Sequence, residues 1–249
     1  MYIGAGKTRV LIDAGLSGRE INRRLGTIGV HIEDLNAVII SHEHTDHTRG
    51  LRVLCSRLNL PVYINYPTLS NIKGSEINGD VREFETGKPF SFQDLIFEPF
   101  SVPHDAADPV GFTIRYEKST IGIATDLGFG SKLVIERLKK CDLLILESNH
   151  DEEMLKVGPY PWEVKQRIKS RLGHLSNHQA GALIREVYHE GLRHVILFHL
   201  SEINNSPRKA DEGVQLLLKS RSYHPIDLSL ALQHRASRVI SLNPENNWI

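Results

Sequence analysis

The 249-residue chain is 40% hydrophobic and 24% charged, an ordinary balance for a folded globular protein and one that excludes a disordered chain. Lys+Arg and Asp+Glu stand at 30 each, so no overall basic charge announces a nucleic-acid partner, although a local basic face is compatible with zero net charge. The two cysteines form no C-x-x-C pair and read as free buried thiols of a reducing cytoplasm; no apolar run reaches bilayer length, and Met1 to Lys7 lacks a signal-peptide core.

In chain order, Arg9-Val10-Leu11-Ile12-Asp13 reads as a buried strand stopped by Ala14-Gly15. Ser17 and Glu20 are spaced as a capping box for a helix over 18–27. A strand at 37–40 precedes a helix over 47–58, and 61–64 is a third strand. Strands follow at 95–102, 110–116 and 120–124, the last two joined by a hairpin at Glu117-Lys118-Ser119. A helix over 131–140 leads to a buried strand at 143–146. Ser176 with Gln179 starts another helix, whose Ala180, Leu183, Ile184 and Val187 share one face; Gly191 reads as its stop. Strands at 194–199, 228–232 and 238–242 and a helix over 207–220 complete the pattern. The interleaving points to stacked sheets covered by helices within one domain over 1–249.

Thirteen histidines are present, and several stand beside acids. Ser41-His42-Glu43-His44-Thr45-Asp46-His47 follows directly on the strand ending at Ile40. Imidazole and carboxylate are the usual ligands of zinc and similar ions, and desolvating such a cluster at a strand end is costly unless something binds it. His104, Asp126 and His199 each terminate a further apolar strand, where a rigid scaffold positions functional groups.

The H-x-H-x-D-H motif, with the order and spacing of the later residues, resembles the metallo-β-lactamase superfamily over nearly the whole chain. The resemblance implies an α/β, four-layer αββα sandwich holding two divalent ions, with zinc, manganese or iron compatible with the ligands. It implies that His42, His44 and His104 bind one ion, that Asp46, His47 and His199 bind the second, and that Asp126 bridges them. Asp13 matches the superfamily's first motif, where an aspartate braces the ligand loops; by itself it is equally a turn former. Family members open with a strand and a Gly/Ser-rich loop before this point, and a chain starting at Tyr2-Ile3-Gly4 implies an incomplete N-terminal edge strand.

An aspartate at the bridging position, rather than a cysteine, disfavours a β-lactamase. Gly173-His174-Leu175-Ser176-Asn177 resembles the histidine motif of the nuclease branches, where such a histidine faces the scissile phosphate. Together with Leu16-Ser17-Gly18, Glu147-Ser148-Asn149-His150-Asp151 and Leu200-Ser201-Glu202-Ile203-Asn204-Asn205, it resembles the bacterial YycJ/WalJ subfamily of DNA exonucleases. The resemblance implies phosphodiester hydrolysis by a metal-bridging hydroxide, with Asp46 orienting the nucleophile and His174 donating a hydrogen bond or proton.

Glu147 and His150 stand either as supports behind the ligands or as loop residues. Lys165 with Lys169, and Arg167 with Arg171, share helical spacing just ahead of His174; they track a phosphate backbone or form a solvated face. Tyr160 and Trp162 stack on bases or simply pack against their neighbouring prolines. The competing reading is a small-molecule hydrolase (thioesterase, lactonase or cyclic-nucleotide phosphodiesterase) on the same two ions. The expected partner is DNA, with no membrane; oligomeric state is open.

Overall fold

The computed structural model describes residues 1–72, 77, 79–219 and 225–242. Its chain divides into two compact units: residues 1–99, 106–110 and the described residues from 238 on, and residues 100–105 with the described residues among 111–237.

The first unit is built on a sheet ordered β1 (Tyr2–Ala5), β2 (Thr8–Ile12), β3 (Ala37–Ile39), β4 (Val62–Ile64), β5 (Val81–Glu83). β1 and β2 form an antiparallel hairpin, and the rest add in parallel. Parallel strands need crossovers. Here they are α1 (Gly18–Gly26), then α2 (Thr45–Thr48) with α3 (Leu51–Leu58), then α4 (Tyr66–Asn71). β3 and β4 are buried at every position, which is why they read as unbroken apolar runs. Leu11, Val38, Ile40, Val62 and Ile64 pack with Ile21 and Leu25 of α1 and Leu51 and Leu54 of α3. A hairpin of β6 (Phe90–Phe92) and β7 (Leu95–Ser101) follows, and β7 carries the chain into the second unit.

In the second unit β8 (Val110–Tyr116) runs antiparallel to β9 (Ser119–Ala124), with Glu117 left-handed in the turn at φ +50°. β10 (Leu143–Glu147), β11 (His194–Phe198) and β12 (Asp227–Leu230) add to β9 in parallel. The crossovers are α5 (Lys132–Leu138); then α6 (Glu152–Val157), α7 (Trp162–Lys169) and α8 (Asn177–Val187); then α9 (Pro207–Leu218). Val134 and Leu138 of α5, Leu183 and Ile184 of α8 and Val214 of α9 bury against Leu144, Leu146, Val195 and Leu197.

Several expectations need correction. Tyr2–Ala5, given no strand of its own in the chain-order reading and placed at an incomplete edge strand by the family resemblance, is the edge strand of the first sheet. Residues 238–242 form no strand. The helix expected over 47–58 starts earlier and is broken at Gly50. The Ser17 hydroxyl accepts the Glu20 N–H, but the Glu20 carboxylate turns to Arg23 and Arg24, so that capping box is half formed. α8 ends at Val187, before Gly191. The expected end of the 207–220 helix, Ser220, lies outside the described residues.

The turn after β2 sets the next element. The Ala14 N–H donates to the His47 carbonyl at 2.7 Å, and the Gly50 N–H donates to the Ala14 carbonyl at 2.6 Å. Between them, a Cβ on Gly15 would fall 1.5 Å from the Asp46 carbonyl oxygen. Backbone is therefore pressed on backbone with no room for a methyl group. Gly15→Ala is expected to destabilise the protein by about 3 kcal/mol. Thermal melts should show a midpoint lower by roughly 6–12 °C; an unshifted midpoint would mean the turn is not held as described.

Candidate metal centre

In the first unit, β2 and β3 are parallel neighbours, so residues just past their ends meet. Asp13 leaves β2 in the left-handed region at φ +60°. Its carboxylate accepts the Ser41 N–H and the Ser41 hydroxyl, both at 2.8 Å, and His47 Nδ1 lies 2.9 Å away. Burial pushes the Asp13 carboxyl up, but His47 and the Ser41 donors outweigh it and hold it below the usual carboxylate range. With Nδ1 on Asp13, His47 presents Nε2 as its ligand atom. His42 is set the same way, its Nδ1 lying 3.0 Å from Ser41 Oγ.

His42 Nε2 and His44 Nδ1 then stand 3.1 Å apart. Two imidazole nitrogens on one tetrahedral zinc ion are separated by about 3.3 Å, from bonds near 2.05 Å. The pair therefore fits a shared ion. Asp46 keeps 65% of its side chain exposed, and its Oδ2 lies 3.9 Å from His47 Nε2.

In the second unit, His104, Asp126 and His199 follow β7, β9 and β11, and Glu147 ends β10. Asp126 and His199 are left-handed, both at φ +57°. Such backbone is uncommon for non-glycine residues and is retained where surrounding structure enforces it. One ligand atom from each of Asp126, Glu147, His174 and His199 lies within 4.8 Å of the others. Among the described residues of this unit, these four form the densest set of metal-ligating side chains.

Glu147 is the organiser. It is fully buried. Its Oε2 accepts the backbone N–H groups of Leu127 (3.0 Å) and Leu175 (3.1 Å). Its Oε1 accepts from His174 Nδ1 at 2.7 Å and from His199 Nδ1 at 2.8 Å. Burial alone would raise this carboxyl, yet the two histidines and these hydrogen bonds bring it down to about 2. Burial likewise disfavours a charged His174, but Glu147 outweighs that and raises its pKa.

His104 donates Nδ1 to the Gly173 carbonyl at 3.2 Å, and its ring centre lies 5.1 Å from that of His174. Burial lowers its pKa, which favours the neutral, ligating form. The seven expected ligands thus fall into two prepared sets, His42, His44, Asp46 and His47 in one unit and His104, Asp126 and His199 in the other.

Residues 8–200 match the family model described as the beta-lactamase superfamily domain. The chain belongs to this metallo-β-lactamase superfamily. Within it, the chain is 33% identical over 226 residues to "Exodeoxyribonuclease YycJ" of Bacillus anthracis, covering 90% of this chain and 86% of that protein. It is 38% identical over 210 residues to "Exodeoxyribonuclease WalJ" of Streptococcus pneumoniae, covering 82% and 78%. The metallo-β-lactamase fold protein YhfI of Bacillus subtilis superposes with a TM-score of 0.68 at 18% identity, over 92% of this chain and 86% of that one. The α/β metallo-β-lactamase fold and the YycJ/WalJ branch expected from the motifs are both found.

The remaining superfamily site candidates divide. Glu147 is the tightest-bonded side chain behind the histidines, and its signal was an acid closing an apolar strand. The two lysines do not form a matched pair: Lys165 donates its ammonium to the Lys156 carbonyl at 2.8 Å, while Lys169 is exposed. Arg167 and Arg171 are not helix neighbours, because Ser170 turns extended at the end of α7. Arg167 instead pairs with Asp105, and Arg171 lies 4.1 Å over the Phe129 ring.

Among the described residues, the His150 side chain makes no hydrogen bond to the expected ligands. It is buried at 2% exposure, and its Nδ1 has no hydrogen-bond partner among the described residues. Burial lowers its pKa to about 4. A histidine that is neutral when folded and charged when unfolded leaves stability intact above about pH 6.5 and drains it as pH falls toward 4. Between pH 7 and 4.5, wild type is expected to lose about 2 kcal/mol more unfolding free energy than His150→Gln. Equal losses in urea titrations would show that His150 protonates freely in the folded state.

Proposed function

We propose that the protein is a metal-dependent phosphodiester hydrolase that removes nucleotides from the ends of DNA. The observation that carries this reading is the Glu147 oxygen shared by His199 and His174. One carboxylate thereby orients a strand-end histidine expected to hold metal and a second histidine, His174, that lies outside the seven ligands assigned below. An unassigned, proton-bearing imidazole beside the ligands is what a phosphodiesterase needs at the leaving oxygen. The exodeoxyribonuclease names of the two relatives support DNA as the substrate.

We assign His42, His44 and His104 to one ion, Asp46, His47 and His199 to a second, and Asp126 between them. This rests on the family's motif order and on the preset ring nitrogens within each unit. The donor set is imidazole and carboxylate without thiolate, which suits Zn²⁺, Mn²⁺ or Fe²⁺. Two such ions, when bound, lower the pKa of shared water and offset phosphate charge.

The chain's own groups do the rest. Glu147 fixes the Nδ1 proton of His174, leaving Nε2 to donate toward the oxygen that gathers charge as the P–O bond breaks. Asp46, the most exposed of the expected ligands, orients the attacking water and accepts its proton. Asp13 and Ser41 keep His47 and His42 in one tautomer. Lys169, and Lys165 to the extent that it leaves the Lys156 carbonyl, contact flanking phosphates. The buried Cys55 and Cys141 form no disulfide, which is consistent with action in the cytoplasm, and among the described residues no helix is long and apolar enough to cross a membrane.

End-labelled single- and double-stranded DNA incubated with Mn²⁺ or Zn²⁺ should be shortened by wild type and spared by Asp126→Ala. If neither strand form is degraded while a small ester or cyclic nucleotide is, the small-molecule reading replaces this one. His174→Ala should retain its metal content and lose at least about tenfold in turnover; wild-type turnover removes His174 from the mechanism. Glu147→Gln should weaken metal retention by about 10- to 100-fold against a chelator. Unaltered retention would reduce Glu147 to a purely structural group.

A further inference from the structure

In a chain of zero net charge, the cations are not evenly spent. α1 and residues 47–60 together carry six arginines and a single acid, Glu20. That acid is taken by Arg23 and Arg24, each at 2.7 Å. Arg19, Arg49 and Arg52 are exposed and have neither an ion pair nor a side-chain hydrogen bond among the described residues. Other exposed cations are neutralised locally, as in Arg82–Asp80, Lys139–Glu136, Arg193–Asp142 and Arg208–Glu212, whereas Lys118 and Lys132 stand singly on other elements.

These three arginines sit together because α1 and α3 touch at their first turns. A Cβ on Gly18 would lie 2.5 Å from Val53 Cγ1, and one on Gly50 would lie 2.4 Å from the Leu16 carbonyl oxygen. Arg19, Arg49 and Arg52 are the immediate chain neighbours of Gly18, Gly50 and Val53, so all three rise from this junction. Arg49 also stands two residues after His47. Of the acids near it in sequence, Glu43 accepts the Ala107 N–H through Oε1 at 2.8 Å and pairs with no arginine among the described residues, and Asp46 is one of the expected metal ligands.

We propose that Arg19, Arg49 and Arg52 form a cationic ridge that grips the phosphate backbone of a nucleic-acid strand. The proposal rests on the phosphodiesterase reading and extends it, since it assigns a strand-holding surface distinct from α7. Unpaired guanidiniums beside a metal-binding segment would repel one another and a cationic partner. A polyanion removes that repulsion and accepts bidentate hydrogen bonds. Three phosphate contacts made through charge leave a signature in salt dependence, with about 0.7 of a slope unit per contact on a single strand.

The test is fluorescence anisotropy of metal-loaded protein with an end-labelled phosphorothioate single strand that resists cleavage, across a salt series. The Arg19→Ala/Arg49→Ala/Arg52→Ala variant should bind about tenfold more weakly at low salt, with the log Kd against log salt slope reduced by about 2. The Arg→Lys triple variant should recover most of the slope, and Lys118→Ala/Lys132→Ala should match wild type. If wild type binds in a salt-sensitive way and the alanine variant binds equally, the ridge is overturned and the nuclease reading stands. If wild type shows no salt-sensitive binding, the nucleic-acid reading falls and takes the ridge with it. Capture of phosphatidylserine vesicles without binding of the strand, lost in the same variant, would overturn it in favour of a lipid surface.

Discussion

A carboxylate with little access to water holds its charge only when donors surround it, and each unit is arranged around one such group. Asp13 takes the Ser41 N–H, the Ser41 hydroxyl and His47; Glu147 takes two backbone N–H groups and two imidazoles. Each acid decides which nitrogen of a histidine carries the proton and therefore which one faces a ligand. Removing either would leave imidazoles free to flip and tautomerise, so the prepared donor sets depend on two residues that need never touch an ion.

Backbone geometry serves the same end. Asp13, Asp126 and His199 all adopt left-handed conformations at the ends of parallel strands. In that conformation the chain turns sharply as it leaves the sheet, and a side chain that would have continued along the strand is swung across its end. Each such residue costs on the order of 1 kcal/mol or more, which the buried hydrogen-bond networks offset. Gly15 shows the complementary device, in which a missing side chain lets one turn lie directly on another.

Much of this was legible in the amino-acid order. Long apolar runs such as Leu143 to Leu146 marked the buried parallel strands, and polar residues closing them marked the site. Short elements escaped because their signals are not local. β5 is only three residues long and carries Arg82 and Glu83, so its strand character comes from pairing with β4. Residues 238–242 have the alternation of a strand, and nothing in their sequence reveals that they add to neither sheet among the described residues. Capping was half readable: Ser17 behaves as a cap, but Glu20 meets two arginines on the same helix and prefers their charge to a backbone N–H. Glu147 was ambiguous because a terminal acid on a strand is commonly just solvent-facing. Only the strands on either side of it explain its burial.

The pairing of β10 has a further consequence for assembly. Leu146 stands opposite Ala124 of β9 and Leu197 of β11, and Glu147 stands opposite Phe198. A slip of one residue along either neighbour would reverse the side on which Glu147 emerges and strand its charge among leucines and valines. The apolar residues of these strands are nearly interchangeable and discriminate poorly between alignments. The lone acid acts as an index mark, penalising mispaired sheets by several kcal/mol. The group that organises the chemistry thus also proofreads the sheet that carries it.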